Sequence, residues 1–182
     1  VDMKRMGAAM VGLVLLILTA ALGSFSASAA PVTRDQAVNL VIARGLAQRG
    51  VPYAWGGGDI NGPTMGKPDG DTPAVLGFDA SGLIQYVYAG VGAKLPRSSG
   101  AMYNVGQKVT PAQALPADLI FYGPDGSQSV TMFLGNNQML EVGDKGVVVS
   151  PVPWKVIVGG SSARTLCAGE SSFQRSPILA LP

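Results

Sequence analysis

The residues of this chain best placed to do chemistry lie around Phe78-Asp79-Ala80-Ser81-Gly82-Leu83-Ile84-Gln85-Tyr86-Val87-Tyr88. Asp79 is a good helix N-cap, and Leu83, Ile84, Val87 and Tyr88 recur at helical spacing, which puts Ala80 in the first turn of a buried helix. Exposed N–H groups and a positive partial charge at such a terminus lower the pKa of a thiol and favour the nucleophilic thiolate. Alanine has no atom to activate. Ser81 carries a hydroxyl, but successive helical residues are turned by about 100°, so it points away from the direction of residue 80. A hydroxyl also needs a base. The chain contains no histidine, which leaves Asp79 and Glu141, and carboxylates are weak bases toward a hydroxyl. The pattern is that of an active site without its nucleophile.

Other reactive groups offer no substitute. Cys167 is the only cysteine; it has no imidazole to activate it, reads as an isolated thiol or an intermolecular link, and excludes an intramolecular disulfide. Asp59, Asp69 and Asp71 share one loop but lack the spacing of a calcium loop, and the commonest metal ligand is absent. They read as solvated loop carboxylates. No metal and no cofactor are expected.

The elements that must hold this site follow from pattern. Thr33 with Gln36 three residues on is a capping box, and Ala37, Leu40, Val41, Ala43, Leu46 and Ala47 mark an apolar helical face that Gly50 closes at C′. Val51-Pro52-Tyr53-Ala54-Trp55 reads as extended, because proline drives the residue before it out of the helical region. Residues 56–77, rich in Gly, Pro and Asp, read as a long loop that either is solvated or forms a cleft wall. The central helix, 79–89, stops at Gly90. Leu95-Pro96-Arg97-Ser98-Ser99 leads to a short helix at 100–104. After a polar passage at 106–118 come strands at 119–122, 129–134, 138–142 and 147–150, separated by Gly/Asn/Asp turns. A further strand or edge is expected at 154–158, and residues 168–182 read as a flexible C-terminal tail. The class is α+β: a buried helix packed on an antiparallel sheet.

Length and composition bound the rest. At 182 residues and 47% hydrophobic, the chain has room for one domain with a sizeable core. Lys4 and Arg5 precede an apolar run over residues 10–22, and Ala27-Ser28-Ala29 has the small-residue pattern of a cleavage site, so residues 1–29 read as a signal peptide cut before Ala30. The run is shorter than the ~20 residues a spanning helix needs. Loss of Lys4, Arg5 and Asp2 leaves a net charge near +1, which offers no electrostatic case for nucleic acid. No membrane attachment after cleavage and a monomer are expected.

Five motifs in order carry a resemblance over residues 36–150: Pro52-Tyr53-x-Trp55-Gly56-Gly57, Gly77-Phe78-Asp79-x-Ser81-Gly82-Leu83, Leu95-Pro96-Arg97, Asp118-Leu119-Ile120-Phe121 and Leu134-Gly135-Asn136. The chain resembles the NlpC/p-sixty family of cell-wall peptidases, in particular its Rip branch. The resemblance implies a papain-like fold over residues 30–167 and, for active members, a cysteine endopeptidase cutting peptidoglycan stem peptides. It puts the family's Cys on Ala80, its His on Ser129 and the third, orienting residue on Glu141, where a Glu is usual in that branch. It also puts Tyr53, Asp79 and Ser81 on the substrate side of the cleft.

Acyl transfer by this family needs a thiolate, an imidazole and a group that orients it. Ala80 and Ser129 supply neither of the first two. Recognition of an unreacted substrate rests on other contacts and can survive their loss. The expected function is therefore an exported, catalytically inactive module that binds peptidoglycan at the cell wall. Asp79 and Glu141 are expected to meet ammonium groups of the stem peptide, and Arg97 to meet a carboxylate or brace the cleft. Each has a plainer role open to it: Asp79 as N-cap alone, Tyr53 and Trp55 as core aromatics, Arg97 as a loop brace. Glu141 should face the cleft because it alternates with Leu140 and Val142. Two alternatives stand: an endopeptidase with atypical catalytic residues working through Ser81 or Glu141, and a scaffold or regulator whose partners are active wall hydrolases.

Overall fold

The structure is a computed structural model that describes residues 32–68, 70–71, 73–153 and 172–175. The expected signal peptide, the strand candidate at 154–158 and Cys167 lie outside the described residues.

Helix α1 spans Arg34–Leu46 behind the capping box of Thr33 and Gln36, with Thr33 Oγ1 accepting from Gln36 N–H at 3.3 Å. It ends earlier than Gly50 suggests: Ala47 is the C-cap, and Gly50 instead turns the chain at φ +85° so that its N–H reaches Val147 O at 2.9 Å. A sheet contact there outranks the local helix-stop signal.

The described residues of the 56–77 stretch are held by more hydrogen bonds than its composition implies. Asp59 Oδ1 accepts from Asn61 N–H at 2.7 Å, and Thr64 Oγ1 accepts from Gly58 N–H at 2.8 Å. These side-chain bonds fold the loop into a two-stranded hairpin, β1 (Thr64–Met65) on β2 (Leu76–Gly77). Lys67 N–H then donates to Trp55 O at 2.7 Å and stitches the hairpin onto the strand-like passage before it.

Helix α2, Ala80–Ala89, buries Ser81, Gly82, Leu83, Ile84, Val87 and Tyr88. Its fully enclosed Leu83, Ile84 and Val87 are each worth roughly 1.5–3 kcal/mol. It packs on a six-stranded antiparallel sheet of order β3-β8-β4-β5-β6-β7: β3 Gln107–Val109, β4 Leu119–Tyr122, β5 Ser129–Gly135, β6 Gln138–Gly143, β7 Gly146–Pro151 and β8 Ser172–Arg175. Alternation divides the strands cleanly. Leu119, Phe121, Val130, Met132 and Leu140 face the helices, while Ile120, Phe133 and Met139 form a second cluster on the other side. A short helix, α3 (Ser99–Tyr103), follows α2.

Strand β8 corrects the expectation of a flexible tail at residues 172–175; the remainder of 168–182 lies outside the described residues. The strand inserts between β3 and β4, with Gln174 buried and its amide donating to Tyr103 O. What recruits it is backbone pairing to two open strand edges, which leaves no mark on composition.

Candidate functional site

The N-terminus of α2 is assembled from three separate stretches. Phe78 N–H donates to Pro52 O at 3.1 Å and Ala54 N–H to Phe78 O at 2.9 Å, which ties Tyr53 beside the residue that leads into the helix. Asp79 N–H donates to Gly57 O at 2.9 Å. The approach is tight enough to require glycine: a Cβ on Gly82 would sit 2.2 Å from Gly57 O. Asp79 is the N-cap, its Oδ1 accepting from Gly82 N–H at 2.7 Å.

The same carboxylate is held by Arg97. Arg97 Nη1 donates to Asp79 Oδ1 at 2.9 Å and Nη2 to Oδ2 at 2.8 Å, a two-pronged pair, while Nη2 also reaches Gly57 O at 3.0 Å. Ser81 Oγ completes the set, donating to Asp79 Oδ1 at 3.1 Å and accepting from Arg97 Nη1 at 2.7 Å. Both Asp79 oxygens are engaged and the charges of the pair cancel. The carboxylate expected to meet an ammonium group of the ligand is thus already paired with a cation within the chain. Arg97 is the brace, held in place by the loop whose Leu95 O accepts from Gln85 Nε2 at 2.8 Å.

Around this terminus opens a cleft of about 440 Å³. Tyr53, Trp55 and Lys67 border it on one side, Asp79, Ala80, Ser81 and Arg97 at the base, and Gln128, Ser129 and Val142 on the sheet side. Residues 80 and 81 both line it, contrary to the simple helical-phase argument, because the cleft meets the first turn of α2 end-on. Ser129, half-buried at the start of β5, is the sheet-side counterpart of Ala80. Tyr53 and Trp55 are 36% and 54% exposed, so they are surface aromatics of the cleft rather than core.

Glu141 does not line the cleft; Val142 does. The alternation on β6 is as expected, but of its residues it is Val142, on the helix-facing side, that lines the cleft. Met132 pairs with Leu140, so Glu141 falls one step on, opposite Thr131 and on the same side of the sheet as Ser129. There it accepts from Ser150 Oγ at 2.5 Å. It is close enough to Tyr122 to add to that phenol's upward pKa shift, which burial dominates and a hydrogen bond from Thr131 opposes. Lys67 and Trp55 were absent from the sequence-based site set. Trp55 stood in a motif that could have nominated it, whereas Lys67 had no local signal.

An N-capped helix terminus and a strand-borne residue thus border one cleft, as the α+β fold expected from the sequence requires, and the two residues there are Ala80 and Ser129. The profile of the NlpC/P60 family matches residues 50–157, and the chain belongs to that family. Its likeness runs to the Rip branch. It is 56% identical over 119 residues to peptidoglycan endopeptidase RipB of Mycobacterium tuberculosis, covering 64% of this chain and 48% of the relative. It is 49% identical over 137 residues to peptidoglycan endopeptidase RipA of the same organism, covering 75% of this chain and 29% of the relative. The chain thus spans less than half the length of these curated relatives. Among solved structures it is similar to RipD of M. tuberculosis, described as a non-catalytic NlpC/p60 domain protein adapted to a peptidoglycan-binding function. That match has 56% identity and a TM-score of 0.64, over 77% of this chain and 97% of that one.

Proposed function

We propose that this chain is a catalytically inactive peptidoglycan-binding module, which holds stem peptides in its cleft without cutting them. The observation that carries this reading is the pair Ala80 and Ser129, both bordering the cleft of an otherwise assembled site. Without a thiolate and an imidazole the route of a cysteine peptidase is closed: there is no thiolate to be acylated and no imidazolium to protonate the leaving amine. The binding surface does not depend on those atoms. The description of RipD as non-catalytic and peptidoglycan-binding supports it. On this reading residues 1–29 are a cleaved leader, the protein works at the cell wall, and wall hydrolases are candidate partners.

The names of RipA and RipB favour a second reading, an endopeptidase with atypical residues. That reading works through Ser81, whose Oγ is bound between Asp79 and Arg97 at the base of the cleft, or through Glu141. The two are separated by incubating the protein with insoluble peptidoglycan, sedimenting, and assaying the supernatant for muropeptides. Co-sedimentation without release is expected. Release that disappears in Ser81→Ala would establish the enzyme instead.

A further inference from the structure

The cleft holds three formal charges. Asp79 and Arg97 neutralise one another through paired hydrogen bonds at 2.8 and 2.9 Å. The third is Lys67, and among the described residues no carboxylate pairs with it. Glu141, the other acid expected to serve the ligand, lies off the cleft. The balance is therefore positive, the opposite of a site built to receive an ammonium group.

Lys67 is also positioned rather than loose. Its backbone N–H is bonded to Trp55 O at 2.7 Å, and Gly66 N–H just before it to Val75 O at 2.9 Å. A Cβ on Gly56 would lie 3.8–3.9 Å from its Cγ, Cδ and Cε, so the aliphatic stem runs over that glycine. Lys67 borders both the cleft at the α2 terminus and a second groove of about 650 Å³ that runs past Pro73, Asp144 and Lys145, where one acid and one base offset each other. Tyr53 and Trp55 border the same two. Lys67 thus lines both grooves together with the exposed aromatics Tyr53 and Trp55.

We propose that Lys67 is a specificity-determining residue that anchors a carboxylate of the bound peptide there, so that the cleft prefers stem peptides with free carboxylates over their amidated forms. The proposal rests on the peptide-binding reading above and names the ligand feature that reading leaves open. A carboxylate on an otherwise unpaired ammonium makes charge-assisted hydrogen bonds, whereas a carboxamide presents a neutral acceptor and an N–H donor that an ammonium cannot accept.

The test is titration of the protein with a labelled synthetic stem peptide bearing free carboxylates, and with the same peptide as its primary amides, at low and moderate salt. The acid is expected to bind about tenfold more tightly than the amide. Lys67→Met, which keeps the stem and removes the charge, should abolish the preference, and Lys67→Arg should restore most of it. Acetylating the peptide's amines should change little, since Asp79 is already paired. Equal binding of acid and amide by the wild type, or an undiminished preference in Lys67→Met, overturns the proposal while leaving peptide binding intact. Failure of the wild type to bind either peptide or insoluble peptidoglycan overturns the binding reading and the proposal with it.

Discussion

Asp79 performs two tasks with one carboxylate, and its substitutions should separate them. As N-cap it accepts from Gly82 N–H, and as an anion it holds the Arg97 fork. Asp79→Asn keeps an acceptor for the cap and loses the charge pair; since Arg97 is 40% exposed at its side chain, the loss is expected to be modest, about 1 kcal/mol. Asp79→Ala removes cap and pair together and leaves Ser81 and the Gly57-bound guanidinium without their shared partner, so about 2 kcal/mol is expected. Urea denaturation of both variants measures the difference, and equal losses would show that the charge pair alone matters and the cap contributes nothing. The capping role was legible from Asp79 ahead of an apolar helical pattern. The Arg97 pairing was not, because the two lie 18 positions apart along the chain.

At the scale of elements, the site exists because α2 abuts the 57–58 turn without side chains between them. Gly82 is where that contact is tightest, its would-be Cβ lying 2.2 Å from Gly57 O and 3.0 Å from Gly58 O. Backbone cannot swing aside as a side chain can. Gly82→Ala should therefore cost about 3 kcal/mol and spoil ligand binding with it. Gly45→Ala on α1 is the internal comparison, because the new methyl meets only side-chain ends, those of Leu140, Met132 and Val87, at 2.6, 3.1 and 3.4 Å. Those can repack, and helix propensity favours Ala over Gly, so a change within about 1 kcal/mol is expected. Comparable unfolding midpoints for the two would mean that the α2 terminus can move. The hairpin of residues 56–77 belongs to this scale too. Its strands are two residues each, too short for any periodicity, and its Asx and threonine bonds form only when Gly58, Asp59 and Thr64 meet.

For the molecule as a whole, the six-stranded sheet depends on a strand supplied from far along the chain. Deleting residues 171–182 removes β8 from between β3 and β4, along with buried Gln174 and the Arg175 side chain that reaches Gln113 O at 2.8 Å and Asp118 Oδ1 at 3.8 Å. The loss is expected to be on the order of 3 kcal/mol, a fall of roughly 10 °C in Tm, with self-association through the opened edges. Thermal unfolding and light scattering of the shortened chain check it; an unchanged Tm would show that β8 contributes nothing. The sequence by itself determined the central helix, read as 79–89, and its Asp79 cap, the meander of four strands read between 119 and 150, and the absence of any histidine from the chain and of a thiol from the first turn of that helix. Those depend on local periodicity, turn chemistry and residue identity, all of which are written along the chain. Tertiary structure alone decided that β8 joins the sheet, that Arg97 neutralises Asp79, that Val142 rather than Glu141 reaches the cleft, and that Lys67 stands at its mouth. Each of these depends on which distant segments come into contact and on which face of a strand turns toward the cleft, and alternation fixes the relation between neighbouring side chains without saying which side is which.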